Sequence, residues 1–144
     1  MDGLNYRERL VELRMYSQER RRDRYMLIFI WKSAMGLTEG YNLQFHGEQS
    51  RRGRECQVTE VVRTAPANVR RAREGSLSVK GAKMFNLLPS DIRNFDSDKV
   101  DLFKRRLDKF LNSIADQPTI SEEGRAAESN CLLHQIPMSR NINQ

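Results

Sequence analysis

Apolar residues recur at helical spacing in several parts of this chain. The clearest set is Val100, Phe103, Leu107, Phe110, Leu111 and Ile114, with Lys104, Arg105, Asp108 and Lys109 turned outward. It predicts an amphipathic helix opened by Ser97 or Asp98 as cap. A second helix is predicted from Ser17, its cap, to about Met35, with Gly36 as terminator. Its core half holds Tyr25, Ile28, Phe29, Trp31 and Met35. Leu27 and Ile30 make that half apolar nearly all round, which requires burial or an interface. A third helix runs through Val79, Ala82, Met84, Phe85 and Leu88, capped by Ser76 or Ser78 and stopped by Pro89. Gly81 inside it costs about 1 kcal/mol relative to alanine, so a close packing contact is expected there. Tyr6 to Met15 reads as a short helix with Tyr6, Leu10 and Leu13 near one face.

Residues 37–62 lack this period. Asn42 to His46 and Glu55 to Val62 alternate in the manner of short strands, joined by the basic turn Ser50-Arg51-Arg52-Gly53-Arg54. Pro66 then breaks any regular element. After Asp116 the chain turns to Ser, Glu, Asn, Gln and Ala, which predicts a mostly disordered polar tail over residues 117–144. Within it, Cys131-Leu132-Leu133 and Ile136-Pro137-Met138 are the apolar points able to dock. The expected fold class is mainly α: a small basic helical domain over residues 1–116, with a short β-hairpin, followed by the tail.

Charge sharpens this picture. The 144 residues carry 31% charged side chains and a net charge of +6. Residues 1–115 hold 23 Lys/Arg and 15 Asp/Glu, whereas residues 116–144 hold 2 and 4. Basicity therefore belongs to the helical part. Most of it is arginine, whose planar guanidinium grips phosphate bidentately and stacks on bases. The expected partner is a polyanion, RNA or DNA; solvated surface charge is the plainer alternative. Arg20, Arg21, Arg22 and Arg24 crowd the first turns of the second helix, where the dipole disfavours cations. A phosphate backbone laid over them would relieve that conflict, as would Glu19 and Asp23 in part. Arg51, Arg52 and Arg54, then Arg70, Arg71 and Arg73, complete the phosphate-contact candidates, with Lys104, Arg105 and Lys109 as secondary ones.

Catalytic chemistry is not visible. Asp96, Asp98 and Asp101 form the closest acidic set, but they sit where a helix cap and first turn want acids, and no further carboxylate completes a two-metal site. Cys131 and His134 have zinc-like spacing, yet His46 and Cys56 would have to join them from a distant loop to make four ligands. No glycine-rich phosphate loop or nucleophile motif is present. Trp31, Tyr25 and Phe29 could stack on bases, but their helical spacing makes them core residues first. Two cysteines give no disulfide framework and suit a reducing compartment. The run from Tyr25 to Trp31 is too short to span a bilayer, and no secretory signal opens the chain.

Arg70 to Thr119 resembles the C-terminal part of the reverse transcriptase of non-long-terminal-repeat (LINE-type) retrotransposons. There a segment like LFN-LP--IRN precedes FK--LD-FL--IPDQPT; here these read MFNLLPSDIRN (84–94) and FKRRLDKFLNSIADQPT (103–119). Tyr6-Arg7-Glu8-Arg9-Leu10 through Leu13, Glu19 to Tyr25 and Trp31-Lys32 are similar to an earlier stretch of the same family, so the resemblance spans about residues 6–119. The family's aromatic-Ala-Asp-Asp polymerase motif and its endonuclease domain lie upstream in the full protein and have no counterpart here. The resemblance implies a detached, non-enzymatic, thumb-like or post-thumb region, from a truncated copy or a fragmentary gene, that grips template RNA or target DNA.

The expected partners are thus the RNA or DNA backbone and the polymerase core of a parent enzyme. No cofactor, membrane or small-molecule substrate is implied, and the expected location is intracellular, in the nucleus or cytoplasm. Two competing readings remain at this point. One is a protein-interaction module that docks the apolar helix Tyr25–Met35 on a missing polymerase core. The other is an inert relic without function.

Overall fold

A computed structural model describes residues 3–39, 43–46, 53–117 and 130–142. The protein is mainly α. The helices are α1 (Tyr6–Glu12), α2 (Gln18–Ala34), α3 (Ala67–Glu74), α4 (Ala82–Leu87), α5 (Ser90–Arg93), α6 (Val100–Leu111) and α7 (Leu132–Ile142). Between α2 and α3 lies a two-stranded antiparallel pair, β1 (Phe45–His46) and β2 (Glu55–Cys56), in which Phe45 faces Cys56. A π-helical turn, Leu77–Gly81, leads directly into α4. Among the described residues, no helix is long and apolar enough to cross a membrane.

α2 is the central element. The Ser17 hydroxyl accepts from the Arg20 N–H at its start, and Gly36 takes a left-handed φ of 70° past its end, as expected. Leu27, Ile30 and Trp31 are fully buried. Tyr25, expected in the core, is instead 63% exposed, because the buried arc is centred on Leu27 and Ile30. The apolar half of α2 packs inside the chain against the π-turn, α4 and α6. Phe103, Leu107 and Leu111 of α6 are also fully buried, matching the periodicity. Gly81 makes the expected close contact: a Cβ there would come within 2.9 Å of the Ile30 Cδ1.

Other expectations also differ from the structure. α7 falls in the stretch read as a mostly disordered tail, yet it is a helix whose Leu132 and Ile136, among the apolar points expected to dock, are fully buried against the core. A carboxylate explains its anchoring: the buried Asp23 of α2 accepts from the Leu132 N–H at 3.0 Å, satisfying an otherwise unpaired donor at a helix start. Lys80 pairs with the same carboxylate at 3.1 Å. Burial opposes the Lys80 charge, but Asp23 and Cys131 together raise the ammonium pKa above its usual value. Residues 118–129 of that tail lie outside the described ones. Second, residues 67–74 form α3, where sequence period gave no helix. Third, α6 begins without a side-chain cap: Lys99 is its cap residue, and Ser97 accepts from the Lys99 N–H. Fourth, α1 buries none of its residues; Tyr6 and Leu13 are 42% and 50% exposed, and the helix is held by an Asn5–Glu8 capping box.

Candidate nucleic-acid interface

α2 and α6 run antiparallel, and polar side chains sew their seam. Arg24 gives a bidentate pair to Asp108, Nε to Oδ1 at 2.7 Å and Nη2 to Oδ2 at 2.9 Å. This pairing raises the Arg24 pKa. The Tyr16 hydroxyl reaches Asp108 and Asn112, and burial together with Asp108 pushes its pKa to about 12. Arg20 is fully buried and donates to the Ile114 and Ala115 carbonyls at 3.3 and 3.0 Å, beyond the C-terminal end of α6. Burial lowers its pKa against the pull of Asp116 and Asp23. Asp116 accepts from the Ser17 backbone and hydroxyl, both at 2.7 Å. Burial alone would raise the Asp116 pKa, but the Ser17 and Asn130 donors and Arg20 bring it below the usual value.

Arg20 and Arg24 are therefore spent on the fold and are not free phosphate contacts. Arg54 is in the same position. Only 8% exposed, it donates to the Arg93 carbonyl at 3.1 Å and pairs with Asp96 at 2.8 Å, while Arg93 donates back to the Arg54 carbonyl at 2.8 Å. Asp96 thus serves as an ion-pair partner rather than a helix cap. Arg20 and Arg54 satisfy backbone carbonyls inside the fold, and Arg24 and Arg54 pair with the partly or largely exposed carboxylates of Asp108 and Asp96. Arg51 and Arg52 lie outside the described residues.

The other candidates face solvent to different degrees. Arg21 and Arg22 on α2, and Arg71 and Arg73 on α3, are exposed. Arg70 is half-buried, with an Nε shielded from solvent and without a hydrogen-bond partner among the described residues. α3 buries none of its residues and lies beside the π-turn, so Arg71 and Arg73 face solvent there. On α6, Lys104 lies 3.8 Å from Asp101, whereas Arg105 and Lys109 are exposed and one helical turn apart. Among the described residues, no acid pairs with Arg21, Arg22, Arg71, Arg73, Arg105 or Lys109.

Arg106 is also exposed on α6, where residue order marks no role for it. Its guanidinium lies 4.4 Å from the centre of the Phe95 ring. Phe95 stacks on Trp31 at 6.3 Å, and Trp31 stacks on Phe103 at 4.3 Å with planes 6° apart. The Trp31 indole N–H donates to the Phe95 carbonyl at 2.8 Å and fixes that loop residue. Arg106 also lines an open cleft of about 540 Å³ between α5 and α6, with Pro89, Asp91, Ile92, Lys109 and Phe110. The pairing of Arg106 with Phe95 spans a loop and a helix, and no periodic signal announces it.

The cysteines are turned inward. Cys56 is 2% exposed, and burial pushes its thiol to about 11. Cys131 is buried near Asp23 and Lys80, while His134 is exposed, so the zinc-like pair does not converge on one side. No protein-family model, no curated protein and no solved structure matches this chain.

Proposed function

We propose that this chain is a non-catalytic helical module that holds the backbone of RNA or DNA, in keeping with its resemblance to the C-terminal region of LINE-type reverse transcriptases. One observation carries this. The candidate cations separate into two classes: Arg20, Arg24 and Arg54 tie the fold together, and Arg21, Arg22, Arg71, Arg73, Arg105 and Lys109 remain exposed without acidic partners among the described residues. Framework cations need no ligand. Unpaired cations on several helices keep their attraction for polyphosphate and contribute contacts that position a strand without reading its sequence. The docking alternative has less to stand on, since Leu27, Ile28, Ile30 and Trp31 of α2 are already buried within the chain. The module acts inside the cell, where its polymer partners are found.

The test is a titration of labelled single-stranded RNA and DNA with the full chain at increasing salt. Affinity is expected to fall steeply, with a log–log slope of about −0.7 per neutralised phosphate. Binding that is absent at low salt, or indifferent to salt, refutes the reading.

A further inference from the structure

We propose that the cleft between α5 and α6 receives one unstacked nucleotide of a single strand, its base lying on the Arg106 guanidinium and its phosphate on Lys109. The inference rests on the nucleic-acid reading above and gives that interface a specific subsite. Three observations carry it. The Arg106 guanidinium carbon lies over the Phe95 ring, 4.4 Å from its centre, and the ring contacts continue through Trp31 to Phe103 in the core. The guanidinium makes no ion pair among the described residues, so its outer face and edge donors remain open. A planar cation pre-set on an aromatic ring is a stacking surface for a base.

The cleft wall supplies the second observation. Pro89, Ile92 and Phe110 line it with apolar surface, and about 540 Å³ is within the range of small-ligand sites. A bare phosphate grip needs no apolar wall; a base does.

The third observation is Asp91. It shares the cleft with Arg106 and Lys109 but pairs with neither. A carboxylate repels a simple anion, yet it accepts a hydrogen bond from a base that carries an exocyclic amine. A cleft with stacking cation, apolar wall, acceptor and ammonium matches the parts of a nucleotide. It also favours single strands, because only an unpaired base can turn away from its neighbours.

The experiment compares the full chain with Arg106→Lys, an exposed substitution that keeps the charge and removes the flat stacking surface. Two labelled strands of equal length are titrated: an oligo-cytidine and a strand of the same sugar-phosphate backbone without bases. The wild type is expected to bind the base-bearing strand about tenfold more tightly, the range of one base–cation or base–aromatic stack. Arg106→Lys should abolish most of that difference and lower the abasic affinity far less, since the charge is kept. Phe110→Ala, checked for folding by Trp31 fluorescence, should act in the same direction. Equal, salt-sensitive affinity of the wild type for both strands overturns the subsite and leaves the backbone reading standing; this is also the result if the cleft serves a peptide. An equal loss for both strands in Arg106→Lys overturns it too. If neither strand binds at low salt, both the subsite and the wider reading fall.

Discussion

Two arginine-rich stretches read alike and fold into opposite roles. In α2, Arg20 and Arg24 are drawn into the seam with α6. In α3, Arg71 and Arg73 stay in solvent on a helix that buries none of its residues. Both stretches are short, basic and helical, so composition does not separate them. What separates them is the company brought by the rest of the chain. α2 meets Asp108, the carbonyls of Ile114 and Ala115, and the Asp116 network; α3 meets the π-turn and no acid that pairs with Arg71 or Arg73 among the described residues. An arginine cluster is therefore not a nucleic-acid site until its partners are known.

The contrast can be attacked from its strongest point downward. Replacing Arg20 with Ala removes a fully buried guanidinium and strands two carbonyls. Stability should fall by about 3 kcal/mol in urea denaturation; a loss no larger than that of a surface residue would remove Arg20 from the framework class. Asp108→Asn breaks the bidentate pair with Arg24 and weakens the Tyr16 contact. Because both partners are partly exposed, the expected cost is lower, about 1–2 kcal/mol.

Asp116 gives a pH signature. Its folded pKa is lowered, so its contribution is complete above the unfolded carboxylate value and is lost as pH falls through the folded one. Acid titration of the wild type should show a loss of stability at and below the usual carboxylate range. Asp116→Asn should be less stable at neutral pH and lose less on acidification; parallel acid curves would count against the Ser17–Asp116–Asn130 junction. The smallest stability effect is expected on the other side of the contrast. The double substitution Arg71→Ala, Arg73→Ala should change stability by less than about 0.5 kcal/mol. It should nevertheless flatten the salt dependence of strand binding by about 1 to 2 in log–log slope. An unchanged slope would show that α3 is ordinary solvated surface.

Much of the framework is legible from residue order. Ser17 and Gly36 bracket α2, the apolar stripe of α6 is the buried stripe, Gly81 meets Ile30 closely, and Phe45 and Cys56 lie in paired strands. These are local features: caps, periods and a missing Cβ act over a few residues. α7 was missed because its residues sit in polar company and include Pro137, and its anchor, Asp23, is over a hundred positions away. α1 differs the other way: a helical period is present, but among the described residues no surface buries it. α3 carries too few apolar residues for a period to show. On the candidate interface, residue order marked the basic stretches but could not sort framework from free cations, nor join Arg106 to Phe95.

Residue order was enough to establish a small, basic, mainly helical protein with its principal helices near their true limits, because hydrophobic period and capping chemistry are properties of neighbours along the chain. Packing had to assign each cation its fate. Whether a guanidinium is buried, paired or left in water depends on carbonyls, carboxylates and rings that arrive from distant segments, and on the high cost of leaving any of them unsatisfied once water is excluded.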